Sequence, residues 1–158
     1  MVGTLPAEPY DLVYSFGVIH HTPHPEKVME QIRRYYVKPG TVVKIMVYNR
    51  ISTKAAGILW SKGFAGLRNP AKVIARHSEA QTGCPVTYTY TRQSVRNLFE
   101  GLQILNVAVE HIFPYRVKDY REYRYVWKWY YQIFPKPFFR LLEKNFGWHL
   151  CVTAIVSE

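Results

Sequence analysis

The chain has 158 residues, a formal net charge of +10 and two cysteines. A hydrophobic share of 48% against 20% charged residues excludes a disordered chain, and the length suits one domain with its own core. No apolar run reaches the roughly 18 residues of a membrane-crossing helix, residues 1–6 lack the pattern of a secretory leader, and Cys84 and Cys151 are too few for a disulfide framework, so a reducing, cytoplasmic setting is expected.

Residues 10–16 form a short β-rich run that is apolar on both faces, the pattern of a buried parallel strand. Pro25 and Glu26 open a helix whose apolar stripe runs through Val28, Met29, Ile32 and Tyr36. Arg33, Arg34 and Lys38 suit its carboxyl end, and Pro39-Gly40 stops it. A second strand follows at once over 41–48. Strand, helix and strand with tight joints make a βαβ unit, nearly always right-handed and parallel. This unit fills residues 1–49.

Residues 50–90 read as an insertion broken by glycines, with short helices at 53–61 and 71–77. Thr91 caps a helix running to about residue 100, with Val95, Leu98 and Phe99 inward. A strand then covers 102–112, where Leu105, Val107 and Val109 alternate with Asn106, Ala108 and Glu110. An aromatic and basic stretch fills 113–147, and a last strand lies within 148–158. Four strands are expected, and the fold class is α/β.

His20, His21 and His24 are the first candidates for chemistry. Three imidazoles in five residues invite a metal, but His20 and His21 should diverge on an extended backbone, and no acidic or thiol cluster lies near them in sequence; no metal site is assigned. Their place matters more: ligands of open α/β sheets bind just outside the carboxyl ends of the strands, and residues 15–22 sit there.

Leu5-Pro6, residues 10–23 with the double histidine and Thr22-Pro23, and then Lys38-Pro39-Gly40 resemble the class I S-adenosylmethionine-dependent methyltransferases, in particular the ubiquinone and menaquinone methyltransferase group. The likeness returns at residues 90–99 and at Phe146-Gly147-Trp148-His149-Leu150. It implies a Rossmann-like sheet in which the four strands here are the fourth to the seventh. The last would insert antiparallel between its two neighbours. It implies S-adenosylmethionine as methyl donor, with Leu5, Ser15, Phe16, Gly17, Val18 and His21 lining the cofactor. His20 and His21 are candidate general bases, with shaping of the loop as the plainer role.

Two departures qualify the likeness. The family's glycine-rich turn after its first strand and the acidic ribose residue after its second have no counterpart here, so the chain is expected to be a C-terminal portion that needs an N-terminal half and binds cofactor poorly alone. Thr41 stands where a second glycine is usual.

The expected activity is methyl transfer to a small or lipid-like acceptor. For 113–148, Tyr120, Tyr123, Trp127, Tyr130/Tyr131 and Phe134 fall at helical spacing, so core packing or a substrate lid is favoured, with Pro135, Pro137 and Gly147 dividing the segment into two helices. The alternative is a non-catalytic basic module that meets an anionic membrane surface through these residues; RNA is the least favoured partner. Cys151 reads as buried and inert.

Overall fold

The computed structural model describes residues 6–63, 70–77, 86–120 and 122–157. Leu5 and Cys84 lie outside these residues. The described residues form five strands, β1 (Leu12–Phe16), β2 (Val42–Asn49), β3 (Thr89–Tyr90), β4 (Gln103–Glu110) and β5 (His149–Ile155). Seven helices accompany them: α1 (Pro25–Tyr35), α2 (Thr53–Lys62), α3 (Pro70–His77), α4 (Ser94–Leu98), α5 (Val117–Tyr120), α6 (Trp129–Ile133) and α7 (Lys136–Phe146). A single 3₁₀ turn, Ile19–His21, follows β1.

β1 and β2 pair in parallel, with Phe16 beside Met46, and α1 makes the crossover. The sheet runs β1-β2-β5-β4, with the short β3 pairing in parallel alongside Tyr48 and Asn49 at the end of β2. β5 is antiparallel to both β2 and β4. The last strand is therefore inserted between its neighbours, as expected. β3 was not anticipated; two residues are too few for a periodic signal.

Alternation builds the core. Val43, Ile45 and Val47 from β2, and Leu150, Val152 and Ala154 from β5, point to one face and bury against Met29 and Ile32 of α1 and Val95, Leu98 and Phe99 beside α4. Ile32 follows Met29 by three residues, so both lie on the inward stripe of α1. On the other face of β1, Leu12, Tyr14 and Phe16 are 55%, 63% and 50% exposed. This corrects the expectation of a strand buried on both faces: among the described residues β1 pairs on one side only, and no helix covers this face.

Thr41 explains how the turn before β2 manages without a second glycine. Only Gly40 takes a positive φ there, +84°. The buried Thr41 hydroxyl accepts from the Lys38 N–H at 2.9 Å and donates to the Tyr10 carbonyl at 2.6 Å. It ties the end of the crossover to the start of β1.

Two further expectations are corrected. In β4 the register shifts between Ile104 and Asn106, so Leu105 sits on a bulge and is exposed, while Val107 and Val109 keep the inward side. The aromatic stretch is no continuous helical stripe. Tyr120 ends α5, Tyr123 has φ of +57°, and Trp127 forms an isolated bridge with Tyr115. Pro135 separates α6 from α7, and Gly147 ends α7. A Cβ at Gly147 would collide with the Glu110 and Glu143 carbonyls, which is why glycine stands where α7 turns into β5.

Candidate active site

Three parallel strands, β1, β2 and β4, point their carboxyl ends the same way, and the antiparallel β5 begins there. The register makes this explicit: Tyr48 pairs with His149, and His149 pairs with Glu110. A cavity of about 750 Å³ opens at this end. Phe16 and Gly17 close it from β1, Met46 and Tyr48 from β2, and Trp148 and His149 from β5. Lys54, Gly57 and Ile58 on α2 make a further wall. The aromatic stretch completes it with Phe113, Tyr120, Lys128, Tyr130 and Tyr131.

Local chemistry positions these groups. Asn49, buried at the end of β2, donates from Nδ2 to the Ile51 carbonyl at 2.7 Å and to the Gly147 carbonyl at 2.9 Å. Its backbone N–H donates to the Trp148 carbonyl at 2.7 Å. One side chain thus locks the exit of β2 to the entry of β5. Ser52 caps α2 by accepting from the Ala55 N–H at 3.1 Å, which fixes the first turn that carries Lys54. The Lys54 ammonium lies 4.6 Å from the Trp148 ring centre and 5.7 Å from those of Tyr48 and Phe113.

Histidines collect around this end of the sheet. His20 is fully buried, its ring 4.0 Å from Tyr48 and 4.1 Å from His21. The two rings meet rather than diverge, because the backbone there is a 3₁₀ turn and not extended; this corrects the sequence expectation. Neither His20 nitrogen has a hydrogen-bond partner. Burial, then His21 and His149, push its pKa down to about 3, against a weak opposing pull from the Met46 carbonyl, which is out of hydrogen-bond geometry. His21 is half-buried, and its Nδ1 lies 3.3 Å from the Val86 carbonyl and 3.1 Å from the Thr87 hydroxyl. A carbonyl only accepts, which favours the tautomer with the proton on Nδ1. His149 stacks on His111 at 4.6 Å, and burial, then His111 and Lys54, bring it down to about 4. His111 has a φ of +62°, an uncommon conformation for a side-chain-bearing residue, held by the Trp148 N–H donating to its carbonyl at 2.6 Å.

Of the cofactor-lining residues expected from the sequence, Phe16 and Gly17 line the cavity. Ser15, on the core-facing side of β1, does not, and neither does the exposed Val18. His20 and His21 lie behind Tyr48, outside the lining. His24 is exposed beside Glu26. Among the described residues no group of three His, Cys, Asp or Glu is arranged to hold a metal. Cys151 is partly buried in β5, with its thiol pushed up to about 11 by burial and then by Glu110, so it stays protonated at neutral pH.

A family model described as a methyltransferase domain matches residues 3–123. The chain belongs to this methyltransferase family. No curated protein matches it. Among solved structures, it is similar to a chain of the "complex between the Haloferax volcanii Trm112 methyltransferase activator and the putative methyltransferase", at 15% identity and a TM-score of 0.54. That likeness covers 98% of this chain and 58% of the other, so the chain spans rather more than half of its neighbour's length. The α/β sheet with its inserted last strand is the Rossmann-like methyltransferase fold.

S-adenosylmethionine is the family's usual methyl donor, and Phe16 and Gly17 at the exit of β1 are the residues beside the cavity that could meet it. Gly17, at φ +74°, turns the backbone out of β1 beside the cavity, where a Cβ would meet the Met46 methyl at 3.7 Å, and its N–H donates to the Met46 carbonyl at 3.4 Å. No G-x-G-x-x-G turn occurs in the sequence.

Sequence reasoning missed Tyr48, Asn49, Lys54, His111, Trp148 and His149. A signal for three of them existed. Once the last strand is inserted antiparallel, its first residues must lie beside the last residues of β2, which brings Trp148 and His149 to Tyr48.

Proposed function

We propose that the chain carries the acceptor side and the methionine end of an S-adenosylmethionine-dependent methyltransferase acting on a small or lipid-like acceptor. The observation that carries this is the cavity at the shared carboxyl ends of β1, β2 and β4, closed by Gly17 on one wall and by the aromatic stretch on another. Phe16 and the Gly17 backbone would hold the methionine moiety. The cofactor, when bound, supplies an electrophilic methyl group. The chain's own residues then orient the acceptor and exclude water: Tyr48, Tyr131 and Trp148 supply flat apolar walls, and positioning does most of the catalytic work.

His20 and His21 take different roles in this reading. His20, held neutral at a pKa of about 3, is a weak base and packs beneath Tyr48. His21 holds residues 86–87 against the turn. We also propose that the working protein docks a further α/β layer, supplied from outside the described residues, on the open edge and face of β1. The exposed Leu12, Tyr14 and Phe16 support it.

The experiment is transfer of labelled methyl from S-adenosylmethionine to organic-extractable product by the protein. Gly17→Val should abolish transfer with the circular dichroism spectrum retained, because it puts a β-branched residue at positive φ. Transfer unaffected by that change would refute the placement of the site.

A second reading rests on α6 and α7, where Trp129, Ile133, Phe138 and Leu141 are exposed near Lys128, Lys136 and Arg140. This surface suits contact with an anionic membrane, which would also present a lipid-like acceptor. Flotation with phosphatidylglycerol vesicles, lost on Trp129→Glu and Ile133→Glu, tests it.

A further inference from the structure

Two helices that wall the cavity also carry apolar side chains turned away from it. In α2, Gly57, Ile58 and Ser61 line the cavity, while Ala55 and Leu59 pack with Ile74 and Trp148. Trp60 belongs to neither stripe and is 90% exposed. Tryptophan is on average well covered by packing, so one left almost wholly in solvent beside a cavity points to an occupant outside the chain. α6 repeats the arrangement. Tyr130 and Tyr131 line the cavity, whereas Trp129 and Ile133, four residues apart and so on one side of the helix, are 66% and 69% exposed. α7 continues the surface with Phe138 and Leu141, three residues apart and both exposed. The two walls adjoin where the Thr53 side chain meets Tyr131.

Charge selects the occupant. Residues 50–78 and 123–142 contain no aspartate or glutamate. Lys62 and Arg76, on α2 and the α3 packed against it, and Lys128, Lys136 and Arg140, around α6 and α7, make no ion pair among the described residues. A second copy of the chain would bring the same positive face and be repelled. Single-stranded nucleic acid stacks on rings but gains nothing from Ile133 and Leu141. Hydrocarbon beneath anionic headgroups accommodates the tryptophans, the aliphatic side chains and the cations together. We propose that α2, α6 and α7 form one contact surface for an anionic bilayer, anchored by Trp60 on one wall of the cavity and Trp129 on the other, so that the cavity opens on the bilayer and its ligand enters from the membrane side. This rests on the membrane reading of α6 and α7 and extends it to α2. It does not need methyl transfer.

The test reads each tryptophan separately. The protein, labelled with 5-fluorotryptophan, is placed on phosphatidylcholine bicelles containing phosphatidylglycerol and a doxyl-labelled lipid as relaxation agent, and its four fluorine resonances are followed by NMR, with Trp60→Phe and Trp129→Phe giving the assignments. Trp60 and Trp129 should both broaden, and the buried Trp148 should stay sharp. Without phosphatidylglycerol neither should broaden. In flotation with phosphatidylglycerol vesicles, Trp60→Glu should weaken binding roughly tenfold and leave the melting temperature unchanged, because the side chain makes little contact within the fold. Lys136→Gln combined with Arg140→Gln should weaken binding roughly thirtyfold, a factor of about five for each cation. Broadening of either tryptophan without the other would overturn the two-walled surface; Trp129 broadened alone would still leave membrane contact through α6 and α7 standing. Absence of flotation would overturn both readings. Equal binding to phosphatidylcholine vesicles, or tighter binding of poly-uridylate than of the anionic vesicles at the same salt, would overturn the choice of partner.

Discussion

His20 is enclosed by His21 and Tyr48, faces His149, and has neither ring nitrogen bonded. Its folded pKa of about 3 lies well below the unfolded value of about 6.5. Between those values the unfolded chain binds the proton and the folded chain does not. The contribution to stability is complete above pH 6.5 and falls as the pH drops towards 3, by on the order of 1.4 kcal/mol per pH unit. His149, at about 4, adds a loss of the same sign. Urea unfolding at pH 7.5 and pH 5.0 should show the loss. His20→Leu, which removes the unpaired nitrogens, should shrink it; an equal loss in that variant would assign the acid sensitivity elsewhere. Thr41 gives a second prediction. Thr41→Val should cost about 1–3 kcal/mol by leaving the Tyr10 carbonyl and Lys38 N–H unpaired, while Thr41→Ser keeps the bridge and costs less; denaturant midpoints decide it. Neither role was legible in the sequence. Thr41 looked like a lapse from a glycine, and its meaning appears only when Tyr10 and Lys38 come together around it.

At the scale of elements, legibility followed periodicity. α1 announced itself through Pro25 and the Met29–Ile32 stripe, and β2 through its β-branched run. The bulge at Leu105 did not, because one extra residue leaves composition unchanged and inverts the face of everything before it. This yields a paired prediction. Leu105→Lys should change stability by no more than about 0.5 kcal/mol, whereas Val109→Lys buries an unpaired charge in the main core and should prevent cooperative folding. Thermal melts of the two variants check the register directly. The aromatic stretch misled for a related reason. Its helical spacing is real, yet Pro135, the turn at Tyr123 and the Tyr115–Trp127 bridge divide it into short pieces that wrap one wall of the cavity.

At the scale of the whole molecule, the described residues cover one face of the sheet well and leave the other open at β1. An apolar edge strand left in water invites pairing with another chain. Sedimentation velocity should therefore show self-association that falls when Leu12 and Tyr14 are both changed to Lys, with the unfolding midpoint little altered. Strand order and the inserted last strand were legible from order and resemblance. The uncovered face was not, because an apolar run reads the same whether or not a neighbour covers it. The charge of +10 finds part of its place in Lys54 and Lys128, which face the cavity.

Where the cofactor's methionine end sits decides whether this cavity is the transfer site. Amide-resolved NMR of the protein titrated with S-adenosylhomocysteine reports this even when binding is weak. Saturable shifts centred on Phe16, Gly17, Met46 and Tyr48 are the predicted result. No shifts at saturating ligand, or shifts centred on α6 and α7 with Gly17 silent, would contradict it.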